Sequence, residues 1–425
     1  MTSKTNCEYK LIKCGKLYDG ITDEFQENME ILIKGKLIEE VGKDLKAQSD
    51  CELIDLSDAT VTPGMIDAHV HMTVFDWRNA KNETLFNTPV YKSMAALYNA
   101  ERFLRRGFTT VRHMGGKDYD GYGVLDAKRV INEGYFPGSR LWVMPYVQCT
   151  VGSHGDSSQV VDANPHLAEF LGSSFPTMGS GADFFHNSVR EQVKYGADFV
   201  KMMANGGFST PYTTPDTETM TSEEMQAVIE AAHALNKKVT AHVYAPHTII
   251  KLANMGIDCL EHCSLITEEA AAVVEKEDVY IVPTFAPFEE IIRWNEENLS
   301  KKDPEFQAKL RVLAPRLVAG RDIIVNSKIK LGFGSDIVAV HECYESAYEY
   351  ESWMLSGMNP FRALRAATAT NADILQMADK IGTIEAGKLA DIAAWRRDLL
   401  TDPKALFDCA FVMKDGKVYE TEAVE

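Results

Sequence analysis

The chain has 425 residues, of which 45% are hydrophobic and 25% charged, so its composition is that of a globular protein and excludes collagen, coiled coils and disordered chains. The formal net charge of −18 at pH 7 would repel phosphate backbones and anionic lipid, so we expect neither nucleic acid nor a membrane as a partner. The eight cysteines are scattered, and neither an apolar leader nor a membrane-length apolar run is present, so we expect reduced thiols and a cytoplasmic location.

Three stretches of different pattern follow one another along the chain. The first sixty residues alternate apolar and polar side chains between Gly and Asp-Gly turns, which predicts short β-strands. Over 63–379, short apolar runs alternate with stretches of helical period, which predicts βα units around a parallel sheet. From 380 onward the hairpin pattern returns, with a turn at Asp415 and Gly416. We therefore predict an α/β fold, with a (β/α)8 barrel over 63–379 and one β-rich module built from 1–62 and 380–425.

Eight apolar runs are predicted as the barrel strands. In chain order they are GMIDAHVHM, FTTVRHM, RLWVMPYVQ, ADFVKMMA, KVTAHVY, DCLEHC, YIVPTF and KLGFGSD. Helical period between them predicts helices over 93–105, 221–236, 246–255 and 361–377. Thr221 or Ser222 is the expected N-cap of the second helix, because an acidic first turn follows it.

Six polar residues mark the ends of predicted barrel strands. His69 and His71 lie two apart in one strand, so both side chains project from the same face. An isolated pair of this kind is weak evidence for a metal site, because a strand histidine is more often a polar core residue. Barrel enzymes build their sites on the rim at the carboxyl ends of the strands, and four further candidates fall there. They are Lys201, His242, His262 and Asp336.

With these motifs the sequence resembles the amidohydrolase superfamily over nearly its whole length. It is most similar to the imidazolonepropionase-related group, which contains Xaa-Pro dipeptidases (prolidases) and metal-dependent carboxypeptidases. The resemblance implies a distorted (β/α)8 barrel with a small β-sandwich domain, a site for two divalent metal ions, usually zinc, and assembly as a homo-oligomer. The motifs that carry it are PGMIDAHVHM, GADFVKMMANGG, VTAHVYA, CLEHCSLI, GFGSD and GTIEAGKLADIAAW.

The resemblance implies a role for each of the six residues. Lys201, in its N-carboxylated form, would bridge the two cations, and Asp336 would bind the first cation and contact the bridging hydroxide that attacks the amide. Four neutral imidazoles supply no charge against two divalent ions, so a carbamate and a carboxylate reduce the net charge. Two cations sharing one water give hydroxide near neutral pH, and Asp336 can deliver its proton to the leaving amine. The imidazole ligands would be His69 and His71 for the more buried cation, and His242 and His262 for the more exposed one.

Two further residues are candidates for contact with the substrate. Tyr244 stands two residues after His242 and points to the same side, where its phenol could donate to a carbonyl oxygen; the alternative is a ring packed under the rim. In the resembling peptidases the tyrosine of an AHxY motif contacts substrate. His154 in TVGSHGD corresponds in part to a substrate-facing histidine in a TGGH segment, but Ser153 replaces a glycine. His113 in VRHMGG stands where relatives commonly have Asp, which changes the local charge.

Each of the metal assignments has a structural alternative. Lys201 could be an ammonium in a salt bridge at the rim, and Asp336 could cap a helix. Cys259 and Cys263 bracket His262 and could be thiolate ligands, but small buried core residues are the better interpretation. The match of the surrounding motifs favours the metal site for Lys201 and Asp336.

The leading functional hypothesis is a metal-dependent hydrolase that cleaves an amide or peptide bond in a small carboxylated molecule, such as an Xaa-Pro dipeptide or an N-acyl amino acid. One alternative is a ring-opening hydrolase or deaminase acting on an imidazolone-like ring; such relatives typically use one metal and lack the bridging lysine. The other is a catalytically silent scaffold, which would have lost ligands. Residues expected to line the entrance or wall of the site are Trp77, Arg78, Tyr91, His341 and Glu342.

Overall fold

Strands and helices alternate through the middle of the chain in the computed structural model. The structure describes residues 8–46, 51–75, 87–116, 121–156, 164, 166–169, 175–210, 213–293, 296–302, 304–337 and 341–422. The strands are β1 (Tyr9–Leu17), β2 (Gln26–Glu27), β3 (Glu30–Lys34), β4 (Leu37–Gly42), β5 (Glu52–Pro63), β6 (Met65–Val70), β7 (Phe108–His113), β8 (Arg140–Val143), β9 (Val200–Met203), β10 (Val239–Val243), β11 (Cys259–His262), β12 (Tyr280–Val282), β13 (Ile392–Trp395), β14 (Cys409–Lys414) and β15 (Lys417–Tyr419). The helices are α1 (Pro89–Arg105), α2 (Gly123–Asn132), α3 (Ala182–Lys194), α4 (Ser222–His233), α5 (Pro246–Asn254), α6 (Glu268–Lys276), α7 (Phe285–Arg293), α8 (Glu296–Ser300), α9 (Pro304–Asn326), α10 (Ala347–Leu355), α11 (Pro360–Arg365) and α12 (Asn371–Ile374).

Strands from the two ends of the chain form one mixed sheet. Its order is β15-β14-β13-β5-β1-β3-β4, and β2 pairs with β1. β13 pairs antiparallel with the end of β5, which joins the C-terminal strands to the N-terminal ones. Apolar side chains of both ends, including Ile12, Val61 and Ile392, form a core cluster of their own. The two β-rich ends therefore meet in one module, whereas the boundaries at residues 62 and 379 stay predictions.

Eight segments between the two ends close a parallel barrel. One sheet contains β6, β7 and β8, and another contains β9, β10, β11 and β12. The amide of Gln148 donates to the carbonyl of Lys201 at 2.8 Å, which joins the first sheet to the second. Ile281 of β12 pairs with Leu331, and the amide of Ala68 donates to the carbonyl of Phe333 at 2.8 Å, which closes the circle. This arrangement confirms the predicted α/β barrel.

The eighth segment differs from the regular strand predicted over 330–336. It forms a single bridge through Leu331. A side chain supplies the next hydrogen bonds: the amide of Phe333 donates to Asn371 Oδ1 at 3.1 Å, and Asn371 Nδ2 donates to the carbonyls of Phe333 and Ile66, each at 2.7 Å. This amide group therefore takes the place of part of the ladder between the segment and β6, where the amides of Ala68 and Asp336 still make backbone hydrogen bonds.

Local signals place the helix ends close to their predicted positions. Thr221 caps α4 in a capping box with Glu224, but the helix ends at His233 rather than at Asn236, where the backbone is left-handed (φ 55°). The predicted helix over 361–377 is divided into α11, a π-helical turn and α12. Within the described parts of the chain, no helix is both long and apolar enough to cross a bilayer.

Candidate metal centre

Three potential ligand atoms converge at the carboxyl ends of the barrel strands. His69 lies in β6 and His71 follows it, and Asp336 ends the eighth segment. Asp336 Oδ1 lies 3.5 Å from His69 Nε2 and 3.4 Å from His71 Nε2, and all three donor atoms lie within 4.8 Å of one another. The backbone amide of Asp336 also donates to the carbonyl of His69 at 2.8 Å. The strand histidines and the acid therefore face the same small volume.

Two more imidazoles extend this cluster. The ring centroid of His262, at the end of β11, lies 5.0 Å from that of His69, and His242 in β10 lies 4.7 Å from His262. His262 Nδ1 is 3.8 Å from Asp336 Oδ2 and 2.7 Å from Thr284 Oγ1. All four histidines predicted from strand positions thus belong to one cluster, in which His69, His71 and His262 lie within 4 Å of the Asp336 carboxylate.

Lys201 lies in β9 and is 1% exposed. Burial lowers the pKa of Lys201 to about 8, while the negative charges of Glu261 and Asp336 act in the opposite direction. The uncharged amine, which is the form that can react with carbon dioxide, is therefore more populated near neutral pH than in an exposed lysine. The structure brings all six predicted residues together; their roles as ligands stay predictions.

Two imidazoles of the cluster, those of His69 and His262, have a lowered pKa, which favours their neutral form. Burial lowers the pKa of His69 well below its ordinary value, and the charge of Lys201 adds to the effect. Burial also lowers the pKa of His262, with His242 as the next contribution. A neutral imidazole keeps a lone pair on one ring nitrogen, which is the form that binds metal ions.

The backbone is strained at three positions of the cluster. His262, Thr284 and Asp336 all have left-handed conformations, with φ of 68°, 48° and 44°. Non-glycine residues in this region cost on the order of 1–3 kcal/mol each and persist where surrounding contacts hold them. Here the contact between His262 and Thr284 and the amide of Asp336 on the His69 carbonyl provide such contacts.

Tyr244 lies beside the histidines and is 5% exposed. Its ring stacks on His262 at 5.1 Å between centroids and meets His242 edge-on at 4.8 Å. On its other side Tyr244 contacts Phe208 at 5.6 Å. Burial, with a smaller contribution from Asp336, raises the pKa of the phenol well above its ordinary value, so the hydroxyl keeps its proton and can donate.

His154 lies next to His242, with the two rings stacked at 4.5 Å and an angle of 12°. Its Nδ1 is 2.6 Å from Thr210 Oγ1. A Cβ atom at Gly207 would come within 2.3 Å of His154 Nδ1, so this approach requires glycine at that position. The loop that carries Ser153 in place of glycine therefore still brings His154 to the cluster.

The residue at the unusual position, His113, supports the chain that leaves β6. Its Nδ1 accepts from the backbone amide of Met72 at 3.2 Å, while Asn99 Nδ2 donates to the carbonyl of Met72 at 2.8 Å. The ring of His113 lies 6.2 Å from that of His71. Burial lowers the pKa of His113 to about 3, so a neutral group stands near this potential ligand.

Glu261 and Arg112 were not singled out from the sequence, yet they lie directly behind the cluster. Glu261 is fully buried, and its Oε2 is 2.7 Å from His69 Nδ1. Its Oε1 accepts from Arg112 Nη2 at 2.7 Å and from Thr240 Oγ1 at 2.5 Å. The available signal was the position of Glu261 beside His262 inside a predicted barrel strand, since a buried acid needs a partner.

The donor set fits a divalent cation. Imidazole nitrogens and carboxylate oxygens are the ligands that zinc and similar ions take in proteins, and hydrogen-bond partners at Nδ1 orient two of the imidazoles. For His71 this partner is the carbonyl of Gly115, 3.0 Å from Nδ1, and for His262 it is Thr284.

A cavity of about 400 Å³ lies at the opposite end of the strands. Its wall includes Lys238, Asp258 and Tyr280, at the starts of β10, β11 and β12, so its mouth is far from the rim that carries the cluster. Arg112 and Thr240 also line it. The Glu261 network therefore separates this cavity from the candidate centre.

The structure describes only some of the residues predicted to line the entrance and the wall of the site. Trp77 and Arg78 lie outside the described residues. Tyr91 is 41% exposed and its ring meets Phe75 at 5.0 Å. His341 is stacked on Tyr348 of α10 at 3.8 Å. The contacts of the wall with a substrate stay predictions.

The chain matches the model of the amidohydrolase family over residues 60–421 and belongs to that family. Ochratoxinase from Aspergillus niger is 26% identical over 99% of this chain and 88% of its own length. A solved Xaa-Pro dipeptidase with bound methionine superposes with a TM-score of 0.85 and 27% identity, covering 97% of this chain and 99% of the other. A solved prolidase complexed with N-methylphosphonate-L-proline superposes with a TM-score of 0.83 and 24% identity, covering 97% of this chain and 100% of the other. This likeness shows the fold.

These findings confirm the resemblance and the fold class predicted from the motifs. The protein is an amidohydrolase-family enzyme that hydrolyses carbon–nitrogen bonds and acts on small molecules. The family is generally metal-dependent, in agreement with the cluster of His69, His71 and Asp336.

Proposed function

We propose that this protein is a binuclear metal-dependent amidohydrolase that cleaves the amide or peptide bond of a small carboxylated substrate, of the Xaa-Pro dipeptide or N-acyl amino acid type. The observation that carries the proposal is the convergence of His69, His71 and Asp336 within 4.8 Å on the rim of the barrel. His242, His262 and buried Lys201 surround this trio and provide ligands for a second cation.

Two divalent cations, taken here as zinc, would lower the pKa of a water molecule and polarise the carbonyl of the substrate. Lys201, as its carbamate, would be a ligand for these cations, because a buried amine that carries a negative carboxyl group offsets cationic charge. Asp336 lies against both His69 and His71 and reaches His262 with its second oxygen. From this position Asp336 takes a proton from the attacking water and delivers it to the leaving amine.

Two side chains next to the cluster would handle the substrate. Tyr244 keeps its proton and stands edge-on to His242, so its hydroxyl can donate to a carbonyl oxygen that gains negative charge. His154 is held by Thr210 against the same imidazole and would hydrogen-bond to a substrate polar group. Both residues belong to the side of the centre that carries His242.

Similar proteins support the substrate class. The solved relatives include a Xaa-Pro dipeptidase with methionine bound in its active site, and ochratoxinase is similar over almost the whole chain. The presence of Lys201 in the cluster favours two cations, and with them the cleavage of an open-chain amide over the opening of an imidazolone-like ring. Assembly as a homo-oligomer and a cytoplasmic location also stay predictions.

The test combines metal analysis with a substrate screen. Purified full-length chain loaded with zinc is expected to hold about two ions per chain. The value of kcat/KM is then measured for a panel of Xaa-Pro dipeptides, other dipeptides, N-acyl amino acids and lactam rings, and the substrates are ranked by it. Hydrolysis of open-chain amides with a free carboxylate supports the proposal. One ion per chain together with activity confined to rings would replace it with the ring-opening reaction, and the absence of hydrolysis of any amide would remove it.

A further inference from the structure

Behind the candidate centre, a buried ion pair links three strands of the barrel. Glu261 in β11 is fully buried and Arg112 in β7 is 2% exposed, and their charged groups are 2.7 Å apart. Thr240 in β10 donates to the same carboxylate. Burying an unpaired carboxylate is strongly unfavourable, so the compensating guanidinium is what permits a glutamate at this depth.

Both members of the pair act on one short piece of chain. Arg112 Nε donates to the carbonyl of Ala68 at 2.6 Å, and Glu261 Oε2 lies 2.7 Å from Nδ1 of the next residue, His69. The pair therefore contacts both the backbone and the side chain at the start of the HxH motif. Arg112 is itself packed over the ring of Phe199 at 5.2 Å, which limits its movement.

The contacts of Glu261 define the tautomer of His69. Oε1 already accepts from Arg112 and Thr240, and an ionised carboxylate can only accept, so the close contact at Oε2 requires a proton on His69 Nδ1. The lone pair of a neutral His69 is then on Nε2, the atom that faces Asp336 at 3.5 Å. A carboxylate on the far nitrogen of a ligating histidine also raises the basicity of the near one.

We propose that Glu261 is a positioning residue of the metal centre, which with Arg112 holds His69 in the Nδ1–H tautomer and aims Nε2 at the more buried cation. This inference rests on the proposed metal-dependent function. At His71 and His262 the hydrogen-bond partners of Nδ1 are uncharged groups, the Gly115 carbonyl and the Thr284 hydroxyl. At His69 the partner of Nδ1 is the carboxylate of Glu261.

The first test reads the tautomer directly. Full-length chain with 15N-labelled histidine is examined by long-range proton–nitrogen correlation, with the His69 signal assigned by its loss in His69→Gln. We expect Nδ1 to carry the proton in the zinc-loaded chain and to keep it after the metal is chelated. A proton on Nε2 in the chelated chain would overturn the inference. The proposed function would survive that result if the wild-type chain still binds zinc and hydrolyses amides.

The second test measures zinc affinity by competition with a chelator. Glu261→Gln leaves Arg112 without its charge partner, so the matched variant is the double change Glu261→Gln with Arg112→Met, which removes both charges together. Loss of such an outer partner is expected to weaken zinc binding about 10–100-fold. Thr240→Val removes a hydrogen bond to the same carboxylate without touching His69, and is expected to weaken binding less than about fivefold.

Zinc affinity of the double variant equal to that of Thr240→Val would contradict the role of Glu261. Circular dichroism confirms that each variant is folded before it is compared. Should neither Glu261 variant fold, the tautomer of the wild-type chain decides the question alone.

Discussion

The two sides of the candidate centre are held by different forces. On the side of His69, buried hydrogen bonds and an ion pair between strands fix the imidazole. On the side of His242, stacked rings dominate: His154 lies on one face at 4.5 Å, and Tyr244 meets the edge at 4.8 Å. Hydrogen bonds between strands specify a direction, whereas ring contacts tolerate small displacements. We therefore expect the side of His69 to be the more rigid of the two.

The largest effect is expected from removing Lys201. Lys201→Ala should lower the zinc content from about two ions per chain to about one or fewer, with a loss of at least about a thousandfold in kcat/KM. Elemental analysis and amide hydrolysis measure the two effects. The matched control is Lys238→Ala, whose side chain pairs with Asp258 at the other end of the barrel. Unaltered zinc content in Lys201→Ala would disprove the bridging role.

Removing the acid should affect chemistry next most strongly. Asp336→Asn keeps the shape of the side chain and the backbone contact with His69, but it removes the group that accepts and returns the proton. We expect kcat to fall by about 10²–10⁴. Asp322→Asn is the control, because Asp322 pairs with Arg321 and is mostly exposed. A kcat within about twofold of wild type would exclude proton transfer by Asp336.

On the side of the rings, the phenol can be removed without the ring. Tyr244→Phe preserves the stack on His262 and the contact with Phe208, so metal content should not change. Loss of one donor to a developing oxyanion is expected to lower kcat about 10²-fold. Tyr280→Phe, at the opposite end of the strands, should match wild type. A change in KM alone would show that Tyr244 binds the ground state and the transition state equally.

A smaller effect is expected at Thr210, which holds His154. Thr210→Val removes the hydroxyl at 2.6 Å from Nδ1 and frees the imidazole to turn. One hydrogen bond of this kind is worth about 1 kcal/mol, so kcat/KM should fall about fivefold with zinc content unchanged. Thr214→Val on the exposed part of the same loop is the control. A loss of zinc in Thr210→Val would place His154 among the ligands instead.

The mildest prediction concerns stability and pH at Glu349 in α10. This buried carboxyl accepts from the amides of Phe285 and Ala286, directly after Thr284, and burial raises its pKa from 4.5 to about 8. Because the folded pKa is raised, its contribution to stability is complete below pH 4.5 and is lost as the pH rises to about 8. Denaturant titrations should show this decline flattened in Glu349→Gln and retained in Glu351→Gln. An equal slope in both variants would contradict it.

Much of this architecture could be predicted from the sequence, because it depends on the pattern of apolar and polar residues within short segments. The apolar runs around His69, Lys201, His242 and His262 place each residue in a barrel strand, and the capping box at Thr221 marks where α4 begins. The eighth segment was less predictable. The side chain of Asn371, which is distant in sequence, takes the place of part of its backbone hydrogen bonding. No local sequence pattern predicts that contact.

By itself, the sequence determined the class of fold, the strands that carry the six candidate ligands and the family, because periodicity and motif spacing are properties of short segments. Only the tertiary structure decided what stands behind those ligands: the carboxylate of Glu261 on His69, the guanidinium of Arg112 beside it, and the ring of His154 on His242. These partners come from different strands and loops. Their contact depends on how the barrel closes, which no single segment specifies.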